Sequence, residues 1–294
     1  MLRKESYSII QLFSCCFRLG TLYLQIEKFI HMMKKHTFFW LAALLCVLTS
    51  CGGQSTTETK FHVIFDNAAP RTMPLALFGE VPDDLVSSLQ IADGIPSSVS
   101  VMLLEKDGQQ LLFDAGNGTE DSQMLPRLQE LGYAPTDIDA VFITHLHGDH
   151  IGGLVKDGEP VFSQAKLYIP SVELDVWTQS AESTPKNVQA MLDAYGENLV
   201  KFAIGDALPC GVEALAAYGH TPGHTLYRSG DLLIVGDIMH GVALQKEHPE
   251  FCARYDMDKE RAIASRKAVL ELVKKEGWTM HGMHFPTVEG VTMK

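Results

Sequence analysis

Thr144-His145-Leu146-His147-Gly148-Asp149-His150-Ile151-Gly152-Gly153 gathers three imidazoles and a carboxylate in ten residues. It follows directly on Ala140-Val141-Phe142-Ile143, an apolar run that reads as a strand, so the polar side chains stand in a loop at a strand's C-terminal end. Neutral imidazole and carboxylate are borderline donors that suit zinc and similar divalent ions. The alternation aims His145 and His147 one way and leaves Asp149 and His150 on the opposite side of the turn, so one loop can serve two ions. The flanking glycines allow a tight backbone with no Cβ to crowd a metal. A polar surface loop with chance histidines is the bland alternative, and so dense a cluster behind a strand disfavours it.

Two later stretches repeat the arrangement. Val212 to Ala217 leads into Tyr218-Gly219-His220-Thr221-Pro222-Gly223-His224-Thr225, and Leu232 to Val235 leads into Gly236-Asp237. Each is a strand-like run that ends in metal-competent side chains. His224 is expected to coordinate, with His220 placed to hydrogen-bond and counted with Asp149 among the catalytic groups. Near the C-terminus, Trp278 to Pro286 carries His281 and His284.

Elsewhere the periodicity gives short strands over Phe61 to Phe65, Ser98 to Glu105, Gln110 to Phe113 and Ala165 to Ile169. Lys106-Asp107-Gly108 is a hairpin signal between the second and third of them. Helices are predicted over Ser122 to Leu131, with Leu125, Leu128 and Leu131 on one face and Gly132 as the stop, and over Ser171 to Thr178, with a Ser N-cap. Two more are predicted over Lys186 to Tyr195 and Asp258 to Glu276, the last with Ile263, Val269, Leu270 and Val273 on one side and Gly277 closing it. This periodicity allows α/β or α+β and nothing finer. No solenoid-like period is visible.

The HxHxDH pattern of His145 to His150 resembles the signature of the metallo-β-lactamase superfamily. The resemblance implies an α+β fold, the four-layer αββα sandwich. Position by position, it implies one metal held by His145, His147 and His224, a second held by Asp149, His150 and His284, and Asp237 bridging the two. His284 is preferred to His281 because His284-Phe285-Pro286 resembles the family's final ligand. The implied cofactor is two divalent ions, expected as Zn2+. Such ions, roughly 3.5–4 Å apart, make a bridging hydroxide available at neutral pH and polarise the oxygen under attack. Asp114-Ala115-Gly116 matches a position where the family commonly carries Asp-x-Gly, and its carboxylate either orients a ligand histidine or simply makes a turn. The Pro-rich segment Ala69 to Ile95 overhangs the site in this fold, so Met73, Leu75, Leu77 and Phe78 stand between substrate wall and ordinary loop packing. Trp177 stands likewise between cleft and core, and His240 and Tyr255 are candidates for assisting the leaving group.

Among the branches, metallo-β-lactamases usually have Cys or Ser where Asp237 stands. Flavodiiron proteins have Glu where His147 stands. Glyoxalase II enzymes continue into a helical domain after the last histidine, where ten residues follow His284 here. From about Asp114 to Pro286 the chain is most similar to the methyl parathion hydrolase and lactonase-like branch, on Gly219 to Thr225, Gly236-Asp237-Ile238-Met239, Asp256-Met257-Asp258 with Arg266, and His284-Phe285-Pro286. That implies a hydrolase of neutral lactones, esters or phosphotriesters. A β-lactamase or a glyoxalase II-like thioesterase is the alternative, and a metal-binding lipoprotein without turnover the second. Relatives are often dimers, and the sequence leaves a homodimer open. The early end of the chain leaves the edge of the second sheet open as well.

The remaining expectations concern the first 60 residues and the charge. Met33-Lys34-Lys35-His36, an apolar run to Leu48 and Leu48-Thr49-Ser50-Cys51 read as a lipoprotein signal peptide over 33–50, too short for a span that needs about 20 apolar residues. A lipid anchor on Cys51, a tether over 51–60 and a hydrolase domain over 61–294 follow, with residues 1–32 read as an upstream mis-start. The expected location is the cell envelope, as an outer-membrane-anchored or periplasmic protein. Of 24 basic and 36 acidic residues, six and two precede Cys51, so the charge from Cys51 onward is 18 − 34 = −16. A phosphate backbone is bound by basic surfaces, so nucleic acid is excluded as a partner. Only Lys156, Arg228 and Lys246 lie near the motifs before the last helix, which favours a neutral substrate. Cys210 and Cys252 are read as free buried thiols.

Overall fold

In chain order the strands are β1 (Lys60–Phe65), β2 (Arg71–Met73), β3 (Ile95–Ser97), β4 (Ser100–Lys106), β5 (Gln109–Phe113), β6 (Ala140–Phe142) and β7 (Val155–Lys156). They continue as β8 (Glu159–Pro160), β9 (Lys166–Pro170), β10 (Leu199–Phe202), β11 (Glu213–Ala216), β12 (Thr225–Ser229), β13 (Leu232–Ile234) and β14 (Thr279–His281). These come from a computed structural model, which describes residues 59–293. The leader, Cys51 and nearly all of the tether lie outside the described residues.

β4, β5 and β6 are apolar at almost every central position because both faces are covered. Alternate residues go to opposite sides. Met102, Leu104, Leu111, Phe113, Ala140 and Phe142 face a core shared with Tyr227 and Ile234 of the second sheet. Val101, Leu103, Leu112 and Val141 face a core closed by the helices Met124–Glu130, Ser171–Trp177 and Lys186–Tyr195. On the far side of the second sheet, Leu226 and Leu233 meet Val269, Leu270 and Val273 of the helix Lys259–Glu276. The layers are therefore helix, sheet, sheet and helix, the expected αββα sandwich.

The first sheet runs β1-β4-β5-β6-β9-β10 and the second β11-β12-β13-β14. β5 and β6 are parallel, as are β13 and β14, so each pair delivers its C-terminal loops to the same end. Tyr227 Oη donates to Ile143 O at 2.6 Å and Thr225 N to Thr144 O at 3.0 Å, which ties the second sheet to the start of the histidine loop. Val291 pairs with Met280, so the last residues run back along β14 and cover its edge.

Several local expectations are corrected. In the helix Met124–Glu130 the buried pair is Met124 and Leu128, four apart, while Leu131 is exposed. Pro170 stands at the N-cap of the next helix and Ser171 is its first residue, with no side-chain cap bond. In the long helix, Ala262 and Arg266 are buried where Ile263 is only half-buried, and Asp258 caps it by accepting Arg261 N at 3.1 Å. Asp107 and Gly108 have φ of 54° and 80°, the left-handed pair that a two-residue hairpin turn requires. Cys210 and Cys252 are free but only partly buried.

Candidate metal centre

The histidine loop is held before any ligand is considered. Asp114, at the end of β5 with φ of 60°, accepts Thr144 N and Thr144 Oγ1, each at 2.8 Å, and the Nδ1–H of His150 at 2.8 Å. Of the two expectations for Asp114, the orienting carboxylate is the one observed. The loop then winds into a single helical turn, Gly148–Ile151, and passes against the 115–117 backbone. A Cβ on Gly152 would lie 2.0 Å from Asn117 O, and one on Gly153 would lie 2.1 Å from Ala115 O, so only glycine fits at either position.

Three imidazole nitrogens meet on one side. His145 Nε2, His147 Nδ1 and His220 Nε2 stand 2.9–3.0 Å from one another. On the other side Asp149, His150 and His284 offer donor atoms within 4.8 Å of each other. Asp237 stands between: its Oδ2 is 3.4 Å from His220 Nε2 and 3.3 Å from His284 Nε2, and its Oδ1 is 3.1 Å from His150 Nε2.

The outer nitrogens of four of these rings are anchored, which turns the inner nitrogens toward the centre. His220 Nδ1 donates to Asp256 Oδ1 at 3.0 Å, and Asp256 in turn is gripped by Arg266 Nη2 at 3.0 Å. His284 Nδ1 donates to Ser98 O at 2.8 Å, and His150 Nδ1 to Asp114. Thr144 Oγ1, having given its proton to Asp114, accepts from His145 Nδ1 at 3.1 Å. The inner nitrogens then face one another across the centre, and His150 Nε2 and Asp237 Oδ1, though 3.1 Å apart, are buried without an aligned hydrogen-bond partner. Buried polar atoms are rarely left so, and this donor set fits divalent cations on both sides of Asp237.

His224 corrects the sequence expectation. Its Nδ1 is 3.1 Å from Ala217 O and its Nε2 accepts Asp237 N at 3.0 Å, so both ring nitrogens are taken by backbone. It braces the turn that presents Asp237, while His220, at the tip of the loop, reaches the cluster. His281 also stays outside, its ring packed edge-on against Phe61 with centroids 4.7 Å apart.

The two sides differ electrically. Burial lowers His145 well below the usual imidazole range and His147 to about 4. Burial also opposes the charged form of His150 and His284, but the nearby carboxylates, Asp237 foremost, outweigh it and raise both. Asp237 itself is pushed up by burial and drawn well below the carboxylate range by His284, His150 and His240. Asp256 is pushed up by burial, yet its bond from His220, with His240 and Arg266, holds it at about 2.

The centre opens into a cavity of about 380 Å3 whose lining includes Asp149, His240, His284, Met73, Tyr255 and Arg71. His240 Nε2 is 3.1 Å from Asp237 Oδ2, and the His240 ring lies 5.6 Å from that of Tyr255. Of the four apolar residues left between substrate wall and loop packing, Met73 lines the cavity, while Leu75, Leu77 and Phe78 pack with Ile91, Ile95 and Leu244. Trp177 does not line the cavity either: its Nε1 donates to Glu173 Oε1 at 2.7 Å and its ring packs edge-on against His147, centroids 5.7 Å apart. Arg71 is the cation the sequence missed. It stands on β2, far from every motif, and has no carboxylate partner among the described residues.

The metallo-β-lactamase superfamily profile matches residues 94–279, and the chain belongs to that superfamily. An N-acyl homoserine lactonase of Bacillus thuringiensis is 28% identical over 165 residues, 54% of this chain and 60% of that protein. Ribonuclease Z of Salinibacter ruber is 43% identical, but over 72 residues, 24% of this chain and 21% of that one. These alignments thus span from about a fifth to three fifths of the curated relatives' length. Among solved structures, AidC, described as a dizinc quorum-quenching lactonase, superimposes with a TM-score of 0.70 at 25% identity, over 81% of this chain and 92% of its own. The hydrolase AbOPH superimposes with a TM-score of 0.72 at 24% identity, over 81% and 91%, a likeness of fold. The likeness to lactonases agrees with the lactonase-like branch expected from the motifs. The centre is a candidate dinuclear metal-binding catalytic site, consistent with a hydrolase of this superfamily.

Proposed function

We propose that this superfamily member hydrolyses neutral lactones, carboxylic esters or phosphotriesters with two divalent ions, zinc in both sites. His145, His147 and His220 would hold one ion and Asp149, His150 and His284 the other, with Asp237 shared. The observation that carries the proposal is the pair of donor clusters meeting at one buried carboxylate beneath an open cavity. Metals bound there supply Lewis acidity and a water-derived nucleophile at neutral pH.

The chain's own residues do the rest. Asp114, Asp256 and the Ser98 carbonyl orient the rings of His150, His220 and His284, so their direction is set before the metals enter. His240, whose charged form is disfavoured by burial despite Asp237, and Tyr255 stand where they can hydrogen-bond a substrate oxygen or the departing group. Met73 offers apolar surface to an acyl or aryl group. One unpaired cation, Arg71, on a chain of net charge −12 is too little to hold a polyanion, which disfavours nucleic acid. The printed activities of the Bacillus thuringiensis lactonase and AidC support the lactone end of this range. We also place the protein in the cell envelope, anchored through Cys51, on the lipobox alone; the variant Cys51→Ala should then leave the membrane fraction.

Kinetics of metal-reconstituted protein on matched panels test the substrate class. Lactones, esters and phosphotriesters should exceed phosphodiesters and β-lactams in kcat/KM. A phosphodiester or β-lactam that beat them all would overturn the substrate class and leave the two-metal assignment standing.

A further inference from the structure

Glu173 is a fully buried carboxylate outside the donor clusters, on the helix Ser171–Trp177 that follows β9. Four donors converge on it. Oε1 accepts Leu146 N at 3.0 Å and Trp177 Nε1 at 2.7 Å; Oε2 accepts Thr221 Oγ1 and Gly223 N, each at 2.8 Å. Leu146 lies between His145 and His147, and Thr221 directly follows His220. One carboxylate therefore ties together the two segments, 75 residues apart, that supply the three imidazoles of the first cluster. The approach is close: a Cβ on Gly223 would sit 2.2 Å from Glu173 N, so the second segment lies flush on the helix end. Nothing comparable joins Glu173 to Asp149, His150 or His284; His150 is placed from Asp114 and His284 from Ser98.

We infer that Glu173 is a positioning residue that sets the spacing of His145 and His147 against His220, and hence the affinity of that cluster for its ion. The inference rests on the two-metal assignment made above. Replacing Glu173 with Gln puts an N–H2 where two donors now point, so one pair of bonds is lost at nearly constant volume. The backbone segments then relax apart.

The test measures Zn2+ affinity by chelator competition on protein stripped of metal, one cluster at a time. His284→Ala leaves the first cluster intact, and His147→Ala leaves the second. Adding Glu173→Gln should weaken Zn2+ binding about 10–100-fold in the His284→Ala background and less than about threefold in the His147→Ala background. Thr221→Val, which removes one donor and keeps the carboxylate, should weaken the first cluster by a smaller factor and guards against a Gln variant that does not fold. Equal weakening in both backgrounds, or a lower Tm with both affinities unchanged, would overturn the inference. Wild-type protein that binds no Zn2+ would instead overturn the two-metal assignment itself, and this inference with it.

Discussion

The two halves of the centre are built from the same donor types yet presented in opposite electrical states. The half formed by His145, His147 and His220 gathers three imidazoles on segments knitted by Glu173, and burial keeps the His145 and His147 rings neutral. The half formed by Asp149, His150 and His284 surrounds its imidazoles with carboxylates that raise their basicity, and Asp149 is one-third exposed at the cavity floor. In the first half burial favours neutral rings at His145 and His147, and His147 reaches the cavity. In the second, carboxylates favour charged rings at His150 and His284, and Asp149 and His284 line the same cavity. A metal meets neutral rings at His145 and His147 and displaces protons from His150 and His284, so like ligands need not bind alike.

The comparison breaks most completely at Asp237, the one group both halves share. Asp237→Ala should abolish uptake of two ions and lower kcat/KM by well beyond the roughly 10–100-fold typical of a residue that only orients a ligand. Elemental analysis with kinetics reads both, and a variant still holding two ions would show that the halves are independent.

Next in size is the exchange between His220 and His224. His220→Ala should empty the first half and cost activity, with the second half still loaded. His224→Ala removes the acceptor of Asp237 N and should cost about 1–3 kcal/mol of stability, read as a lower Tm, with both ions still bound when folded. The reverse pattern would restore His224 as the ligand.

A smaller effect sharpens the contrast through the orienting carboxylates. Asp256→Asn and Asp114→Asn each trade a charged acceptor for a neutral one behind His220 and His150, respectively. Asp256→Asn should weaken metal binding roughly 10–100-fold in the first half; Asp114→Asn should do so in the second half and weaken the first by less, through Thr144 and His145. Chelator competition in the two single-cluster backgrounds separates them, and equal losses in both would erase the distinction.

The mildest test is pH. The imidazoles of His150 and His284 have raised pKa values, so below those values a metal must displace their protons. His147, lowered to about 4, stays neutral down to that pH. On going from pH 8 to pH 6 the second half should lose affinity, by up to about tenfold per unit for each proton released, and the first half should lose less. Calorimetry in buffers of different ionisation heat counts those protons. Equal release on filling either half would contradict the assigned electrostatics.

Much of this was legible along the chain because the signals are local. An apolar run followed by His145 to His150 places ligands at a strand's end whatever the rest of the molecule does, and Gly236-Asp237 after Leu232 to Val235 repeats the logic. The hairpin at Asp107-Gly108 was equally readable, since a left-handed pair of residues is a local requirement. Choosing between His220 and His224 was not a local matter. Both follow the same strand four residues apart, and what separates them is the Asp237 peptide, 13 residues beyond His224, and Asp256, 36 residues beyond His220.

The amino-acid sequence by itself determined the donor types and their position at strand ends, because turn chemistry and side-chain chemistry act over a few residues; period left α/β and α+β open, and the layering followed only from the family resemblance. Tertiary structure alone decided that His220 and not His224 joins the donor cluster, that Leu75, Leu77 and Phe78 fill a small core, that Arg71 lines the cavity, and that Glu173 binds two distant loops. Those outcomes depend on where separate segments come to rest against one another, and a buried nitrogen or carboxylate takes whatever hydrogen-bond partner that packing sets within about 3 Å.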